Sequence, residues 1–174
     1  MNPSPLKMLL RSSFPVLLFA MASAVPPASA AEDYKTVKST SAFTLGIASG
    51  FGLVDSYGGL AVVPSVSARI VENGFIPEIV NPVFIELQFG PLFTGGGTIW
   101  MHSTHLRWDF IKDSQWTLFA LGGIAGNFMD NRLGNRSEFY PRFGVGVFYQ
   151  LTDILAIRAD FSHELITVGV SVPF

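Results

Sequence analysis

The side chains with the clearest chemical potential are charged residues that alternate with apolar ones, such as Glu86, Arg107 and Asp109. Alternate side chains of a β-strand point to one face, so these charges would lie on the same face of their strands. If the strands form a closed sheet, that face lines its interior. The predicted set is Arg69, Glu86, His105, Arg107, Asp109, Arg142, Arg158 and Asp160. Because buried charges are costly unless paired, we expect a salt-bridged network that plugs this interior. A narrow ion path is the alternative.

Two segments carry hydrolase residue types, His102-Ser103-Thr104 and Ser162-His163-Glu164. They resemble in part the catalytic His-x-Ser motif of the lipid A deacylase family, whose members are also eight-stranded barrels. In that family the motif lies on the seventh strand, after an Arg-Ala pair. The first segment would need Thr104 as the nucleophile, and it lies on the fourth strand. Here Arg158-Ala159 is followed by Phe161 at the histidine position. Adjacent strand residues point to opposite faces, so the second segment needs a bend to form a relay. We predict no catalytic residue and keep a deacylase-like, lipid A-modifying enzyme as the alternative.

A polar stretch from Met129 to Glu138 offers a third candidate site. Its Arg132 and Arg136 have the chemistry to contact lipopolysaccharide phosphates, although this composition favours an ordinary solvated loop. The sequence shows neither a glycine-rich phosphate loop nor metal-ligand spacing. We therefore predict no metal site and no cofactor.

Eight segments that alternate large apolar with small or polar residues must position these side chains. They are separated by turn-forming residues such as Thr94-Gly95-Gly96-Gly97. The segments run over about 42–53, 59–71, 83–93, 98–110, 115–128, 139–150, 154–162 and 166–174. Their even number, and their length near the 9–11 residues of a membrane-crossing strand, favour a closed barrel.

The two faces of the strands differ in a way that indicates their surroundings. One face is bulky and apolar, and the other holds Gly, Ala and Ser with isolated charges, whereas a water-exposed face would carry far more Lys and Glu. Eight strands leave an interior that side chains just fill. We therefore predict an all-β, eight-stranded antiparallel up-and-down transmembrane β-barrel, with a soluble lipocalin-like barrel as the alternative. Aromatic residues at strand ends predict two interfacial girdles: Phe43, Phe110, Trp116, Tyr149 and Phe174; and Phe51, Phe93, Trp100, Phe128 and Phe139.

The start of the chain has the layout of a cleaved secretory signal. Lys7 and Arg11 precede an apolar stretch, and Ala28-Ser29-Ala30 is a small-x-small cleavage site. We predict a signal peptide over 1–30, a short periplasmic segment over 31–41 and the barrel over 42–174. Without the signal the net charge is about −4, which gives no support to nucleic-acid binding. The chain has no cysteine, so disulfides and thiolate metal sites are excluded.

The C-terminal third carries a family resemblance. Residues 141–153 with 155–160, and then Ile166 to Phe174, resemble the last strands of the OmpA-like and OmpX-like barrel families. The resemblance implies a monomer in the outer membrane of a Gram-negative bacterium, delivered by periplasmic chaperones and inserted by the barrel-assembly machinery. The signal for that machinery would comprise Val168, Val170, Val172 and Phe174.

Full-length OmpA continues beyond its barrel into a peptidoglycan-binding domain, which we do not expect in this chain. The predicted role is therefore non-enzymatic, either structural or in interactions at the cell surface, in contact with outer-membrane lipid and lipopolysaccharide. A lipid A-modifying enzyme and a narrow channel remain the alternatives.

Overall fold

The computed structural model describes residues 41–129, 133 and 136–174, and it forms a closed, all-antiparallel β-barrel of eight strands. Each strand pairs with its neighbours in the sequence, and β1 pairs with β8 to close the barrel. The strands are β1 (Phe43–Val54), β2 (Tyr57–Val71), β3 (Val83–Thr94), β4 (Gly97–Ile111), β5 (Trp116–Met129), β6 (Ser137–Thr152), β7 (Leu155–Ser162) and β8 (Leu165–Pro173). The predicted fold is confirmed, and the predicted strand bounds agree to within two residues. The predicted signal peptide and residues 31–40 lie outside the described residues.

The two ends of the barrel differ in their connections. Both ends of the described chain lie at one end, here called the terminal end, together with connections 72–82, 112–115 and 153–154. The opposite end, here called the turn end, has tight turns at 55–56, 95–96 and 163–164 and one longer connection, 130–136. Asp55 and Ser56 have φ values of 45° and 71°, which suits a two-residue hairpin whose central residues both need positive φ.

Side-chain exposure alternates along the strands, as the sequence pattern predicts. On β3, Glu86 is fully buried in the lumen, whereas its neighbour Leu87 is 49% exposed on the outer surface. Val83 departs from this pattern. Its place in the alternation, with Ile85 and Leu87, predicts an outward position, but it is buried. The residues just before it, Asn81 and Pro82 at the end of connection 72–82, are buried too.

Apolar side chains also fill part of the lumen. One buried cluster lies toward the turn end and comprises Val54, Ala61, Val63, Leu92, Ile99, Met101, Met129, Leu133 and Leu165. A smaller one toward the terminal end comprises Phe119, Leu121, Phe148 and Ala156. These parts of the lumen are therefore packed with side chains, as expected for eight strands. Within the described residues, no helix is long and apolar enough to cross a membrane.

The seam between β1 and β8 is closed by the last residue. Phe174 lies just beyond β8, and its backbone exchanges two hydrogen bonds with Phe43, each of 3.0 Å. The two rings also stack, with centroids 6.3 Å apart. Phe174 therefore extends the ladder by one residue pair.

Candidate functional site

A buried carboxylate organises the middle of the lumen. Glu86 on β3 accepts hydrogen bonds from Arg158 Nη1 at 2.9 Å and Nη2 at 2.7 Å, and from Arg107 Nη1 at 2.5 Å. His105 Nε2 lies 3.2 Å from Glu86 Oε1. Glu86 has no exposed surface, and both arginines are 2% exposed. A charge this deeply buried is stable only with such partners.

Each arginine is held in place by an aspartate two residues farther along its own strand. On β4, Arg107 donates from Nε and Nη2 to Asp109 at 2.8 and 3.1 Å. On β7, Arg158 donates from Nε and Nη2 to Asp160 at 2.8 and 3.0 Å. The repeated Arg-x-Asp spacing puts both members of each pair on the inward face. Each guanidinium is therefore shared between its aspartate and Glu86.

Three aromatic rings face the two guanidinium groups in the lumen. The Arg107 guanidinium carbon lies 4.4 Å from the centroid of Phe84 and 4.9 Å from that of Phe148. The Arg158 guanidinium carbon lies 5.1 Å from the Phe119 centroid and 5.4 Å from that of Phe148. These distances allow cation–π attraction in a desolvated site. We did not predict these rings, although their inward positions in the alternation could have identified them.

Arg142 on β6 forms a second branch of the network. It donates from Nη1 to Gln88 Oε1 at 2.7 Å and to Ser103 Oγ at 2.8 Å, and its Nε lies 2.9 Å from Glu164 Oε1. Gln88 in turn donates to Glu86 at 2.9 Å and so connects the two branches. Glu164 is 5% exposed. We considered it only as a possible relay residue and did not predict it in the lumen network, because it lies in the β7–β8 turn.

Hydrogen bonds and ion pairs join seven of the predicted lumen residues into one connected network: Glu86, His105, Arg107, Asp109, Arg142, Arg158 and Asp160. Arg69 is half-buried on β2, also has an interaction partner, and pairs in register with Phe84 of β3. A cavity of about 400 Å³ lies on the terminal side of this network, bounded by Arg107 and Asp109. A smaller cavity of about 160 Å³ lies toward the turn end, bounded by Asn127 and Glu164. The ion pairs therefore lie between two separate cavities.

The His102-Ser103-Thr104 segment is divided between the two faces of β4. His102 lies on the outer face and stacks on Phe128, with centroids 4.9 Å apart and an interplanar angle of 16°. Ser103 is buried in the lumen, where its hydroxyl binds Arg142 and lies 3.3 Å from His105 Nδ1. Thr104 is exposed on the outer face. Strand geometry therefore separates His102 from Ser103 and leaves His102 and Thr104 on the outer face, as predicted.

In the Ser162-His163-Glu164 segment, only the contact between the histidine and the carboxylate of a catalytic relay is formed. His163 Nδ1 lies 2.9 Å from Glu164 Oε2, because the β7–β8 turn supplies the bend that a straight strand lacks. The Ser162 hydroxyl instead donates to the carbonyl of Leu165 at 3.4 Å. A serine–histidine contact, which nucleophilic catalysis needs, is not formed by these residues. Among the described residues, no group of three His, Asp or Glu side chains could hold a metal ion.

The remaining predicted residues that the structure describes lie on the surface. Arg132 falls outside the described residues. Arg136 is exposed, and its guanidinium lies 3.5 Å from Asp55 Oδ2 and 3.4 Å from Glu138 Oε1. The residues of the predicted assembly signal, Val168, Val170, Val172 and Phe174, are exposed on the outer face at the β8 edge of the seam.

Comparison with solved structures supports the fold. A protein from the de novo design of transmembrane β-barrels matches with a TM-score of 0.56 at 11% identity, covering 79% of this chain and all of the design. The outer-membrane protein Ail of Yersinia pestis, solved in a phospholipid bilayer nanodisc, matches with a TM-score of 0.50 at 14% identity, covering 76% and 97% of the two chains. No protein-family model and no curated protein sequence matches this chain. These matches show a barrel of the type found in bacterial outer-membrane proteins, and membership of the OmpA-like or OmpX-like families stays a prediction.

Proposed function

We propose that this chain is a small, non-enzymatic outer-membrane β-barrel protein of a Gram-negative bacterium, with a structural or surface-interaction role and a lumen plugged by ion pairs. The observation that carries the proposal is the apolar outer face. Every strand exposes large hydrophobic side chains, from Leu45 on β1 to Val170 on β8. Such a continuous belt far exceeds the apolar patches of soluble monomers.

The distribution of charge supports a lipid environment over a soluble barrel. The lumen holds Glu86, Arg107 and Arg158, whereas the outer face at the same height holds Leu87, Leu106 and Ile157. A soluble lipocalin-like barrel would have the opposite arrangement. Closure of the β1–β8 seam also satisfies the strand backbones, which an open edge in lipid would leave unpaired.

The ion-pair network in the lumen favours the interpretation of a structural plug rather than a conducting channel. Glu86, His105, Arg107 and Arg158 are all at most 2% exposed and bind one another across the lumen. Aromatic rings fill the space beside the guanidinium groups. An ion crossing the lumen would have to break several charge-assisted hydrogen bonds at once.

The partners implied by this role are also proposals. Lipid and lipopolysaccharide would surround the barrel, with Arg132 and Arg136 as the candidate contacts to lipopolysaccharide phosphates at the turn end. Periplasmic chaperones and the barrel-assembly machinery would act during biogenesis, and the mature form would be a monomer. The enzyme alternative is tested by mass spectrometry of lipid A from cells with and without the protein. An acylation pattern that changes with expression would overturn the non-enzymatic role.

The decisive experiment places a charge on the outer face. In lipid, Leu87→Arg should cost about 2–4 kcal/mol because the guanidinium meets hydrocarbon near the middle of the strand. Leu87→Phe is the matched control and should be tolerated. The measurement is the fraction of the protein in outer-membrane fractions that is heat-modifiable, meaning that it migrates faster on a gel when unheated than after heating. Full membrane levels of Leu87→Arg, or wild-type protein in the soluble periplasmic fraction, would refute the proposal.

A further inference from the structure

The β2–β3 connection, residues 72–82, is the longest described connection, and it is folded onto the barrel. The amide of Gly74 donates to the carbonyl of Asn81 at 2.9 Å, which closes the segment between them into a compact loop. Beyond it, the chain continues along β4, where Ile111 and Asp109 donate to the carbonyls of Val80 and Pro82 at 3.1 and 3.0 Å. The loop is therefore tied to the wall at its base.

Asn81 holds this loop together from the inside. Its side-chain nitrogen donates to the carbonyls of Ile76 and Ile79 at 2.5 and 2.6 Å, and its side-chain oxygen accepts a hydrogen bond from Trp108 Nε1 at 3.1 Å. A Cβ atom at Gly74 would lie 2.3 Å from Asn81 Oδ1 and 2.9 Å from Trp108 Nε1. Only glycine leaves room for this arrangement.

The loop presents an apolar ring on the outer side of the barrel. Phe75 is 82% exposed, and the edge of its ring meets Trp108, with centroids 5.7 Å apart at 89°. Trp108 lies on the outer face of β4 and contacts Phe110 at 4.8 Å. Phe75 therefore continues the aromatic girdle of the terminal end beyond the end of the strand.

We propose that this loop is a membrane wedge, in which Phe75 and Ile76 enter the boundary between headgroups and acyl chains of the leaflet at the terminal end. The inference rests on the proposed membrane location. Its occupant is phospholipid, because the loop is continuous with the apolar belt and the girdle. Residues 72–82 contain Glu72 and Glu78 and no Lys or Arg, so apolar burial, and not attraction to anionic headgroups, drives insertion.

The hydrogen bonding of the loop suits this environment. Irregular backbone is tolerated near hydrocarbon only when its polar groups are satisfied internally. Asn81 satisfies the carbonyls of Ile76 and Ile79, and the first of these lies in the Phe75-Ile76 pair that is proposed to enter the membrane. The same residue holds Trp108 beside Phe75, so one buried amide both satisfies the loop and aims it at the membrane.

Because the chain has no cysteine, single-cysteine spin labels can test the wedge. The full protein is reconstituted at one barrel per phospholipid nanodisc, and the label is placed at Phe75, Glu78, Leu87 or Ser114. We expect labels at Phe75 and Leu87 to be accessible to oxygen and protected from a water-soluble nickel complex. Labels at Glu78 and Ser114 should show the opposite. Gly74→Ala should abolish the protection at Phe75 and leave that at Leu87 unchanged, and neutral and anionic lipids should give the same result.

The controls separate failure of the wedge from failure of the membrane location. A nickel-accessible label at Leu87 would refute the proposed function. Protection at Leu87 with nickel access at Phe75 would refute the wedge alone. One barrel per disc excludes a second copy as the occupant. Protection at Phe75 that persists in Gly74→Ala would show that the Asn81 clamp does not aim the loop, and protection that requires anionic lipid would overturn the apolar mechanism.

Discussion

The guanidinium of Arg158 binds both carboxylate oxygens of Glu86 from the opposite wall of the barrel. The two residues are 72 positions apart in the chain, and β3 and β7 are separated by three strands in either direction around the barrel. Two parallel N–H···O bonds give this contact orientation as well as strength. The pair is a cross-brace between walls that share no backbone hydrogen bonds.

Removing the charge of the cross-brace should destabilise the barrel strongly. Glu86→Gln keeps the shape of the side chain but leaves Arg107 and Arg158 with one carboxylate each. We expect a loss of about 3–5 kcal/mol in the free energy of unfolding, measured by urea titration in detergent or bilayers. Glu138→Gln, which removes one exposed partner of Arg136, should cost at most about 1 kcal/mol. Equal losses for the two variants would show that the network does not stabilise the fold.

Gly146 should tolerate no larger side chain, because the Phe119 ring occupies the space beside it. A Cβ atom there would lie 2.2 Å from Phe119 Cζ and 2.4 Å from the carbonyl of Ala159. Gly146→Ala should therefore cost about 1–3 kcal/mol and displace the ring from Arg158. Gly95→Ala is the control, since a Cβ atom at Gly95 meets nothing within 4 Å. Wild-type unfolding of Gly146→Ala would contradict this packing.

Assembly of the barrel should depend on both the ring and the backbone of Phe174. Phe174→Tyr keeps the ring and should assemble at near wild-type levels. Phe174→Ala keeps the backbone pair with Phe43 and loses the ring, and deletion of Phe174 loses both. We expect folded outer-membrane levels to fall in that order, measured as heat-modifiable protein after a pulse of expression. Similar levels for the deletion and Phe174→Tyr would refute the predicted assembly signal.

The intact network should keep the lumen closed to ions. Wild-type protein in planar bilayers should show no steady conductance, because ion pairs separate the cavities of about 400 and 160 Å³. Replacing Glu86, Arg107 and Arg158 together by alanine should produce small conductance steps in protein that remains heat-modifiable. Steps of the same size in the wild type would favour the channel alternative.

Much of this fold follows from the period of two in the sequence. The strand bounds, and the inward position of charges such as Arg107 and Glu86, are fixed by alternation, since a shift by one residue would turn every side chain over. Val83 shows the limit of this reasoning. Its position in the alternation is outward, but it is buried where connection 72–82 enters β3. The fold of that connection depends on the hydrogen bond between Asn81 and Trp108, which no strand pattern encodes.

The omissions within the site have physical causes as well. Glu164 lies in a turn, where alternation gives no direction. It reaches Arg142 just beyond the end of the β6–β7 ladder, whose last pair is Gly144 and Ser162. Phe119 and Phe148 were passed over because a membrane barrel is expected to have a polar interior. Two guanidinium groups sharing Glu86 leave their planar faces free of hydrogen bonds, and aromatic rings fill that space and attract the cations.

The tight turns at the turn end of the barrel limit the surface that is accessible to other molecules there. Three of the four connections there are two residues long, so the strands rise almost directly to the rim. If that end faces the medium, antibodies and phages meet little more than the rim and connection 130–136. Any change in what binds there would then be confined to the short connections of this end, while the wall stays fixed by its packing.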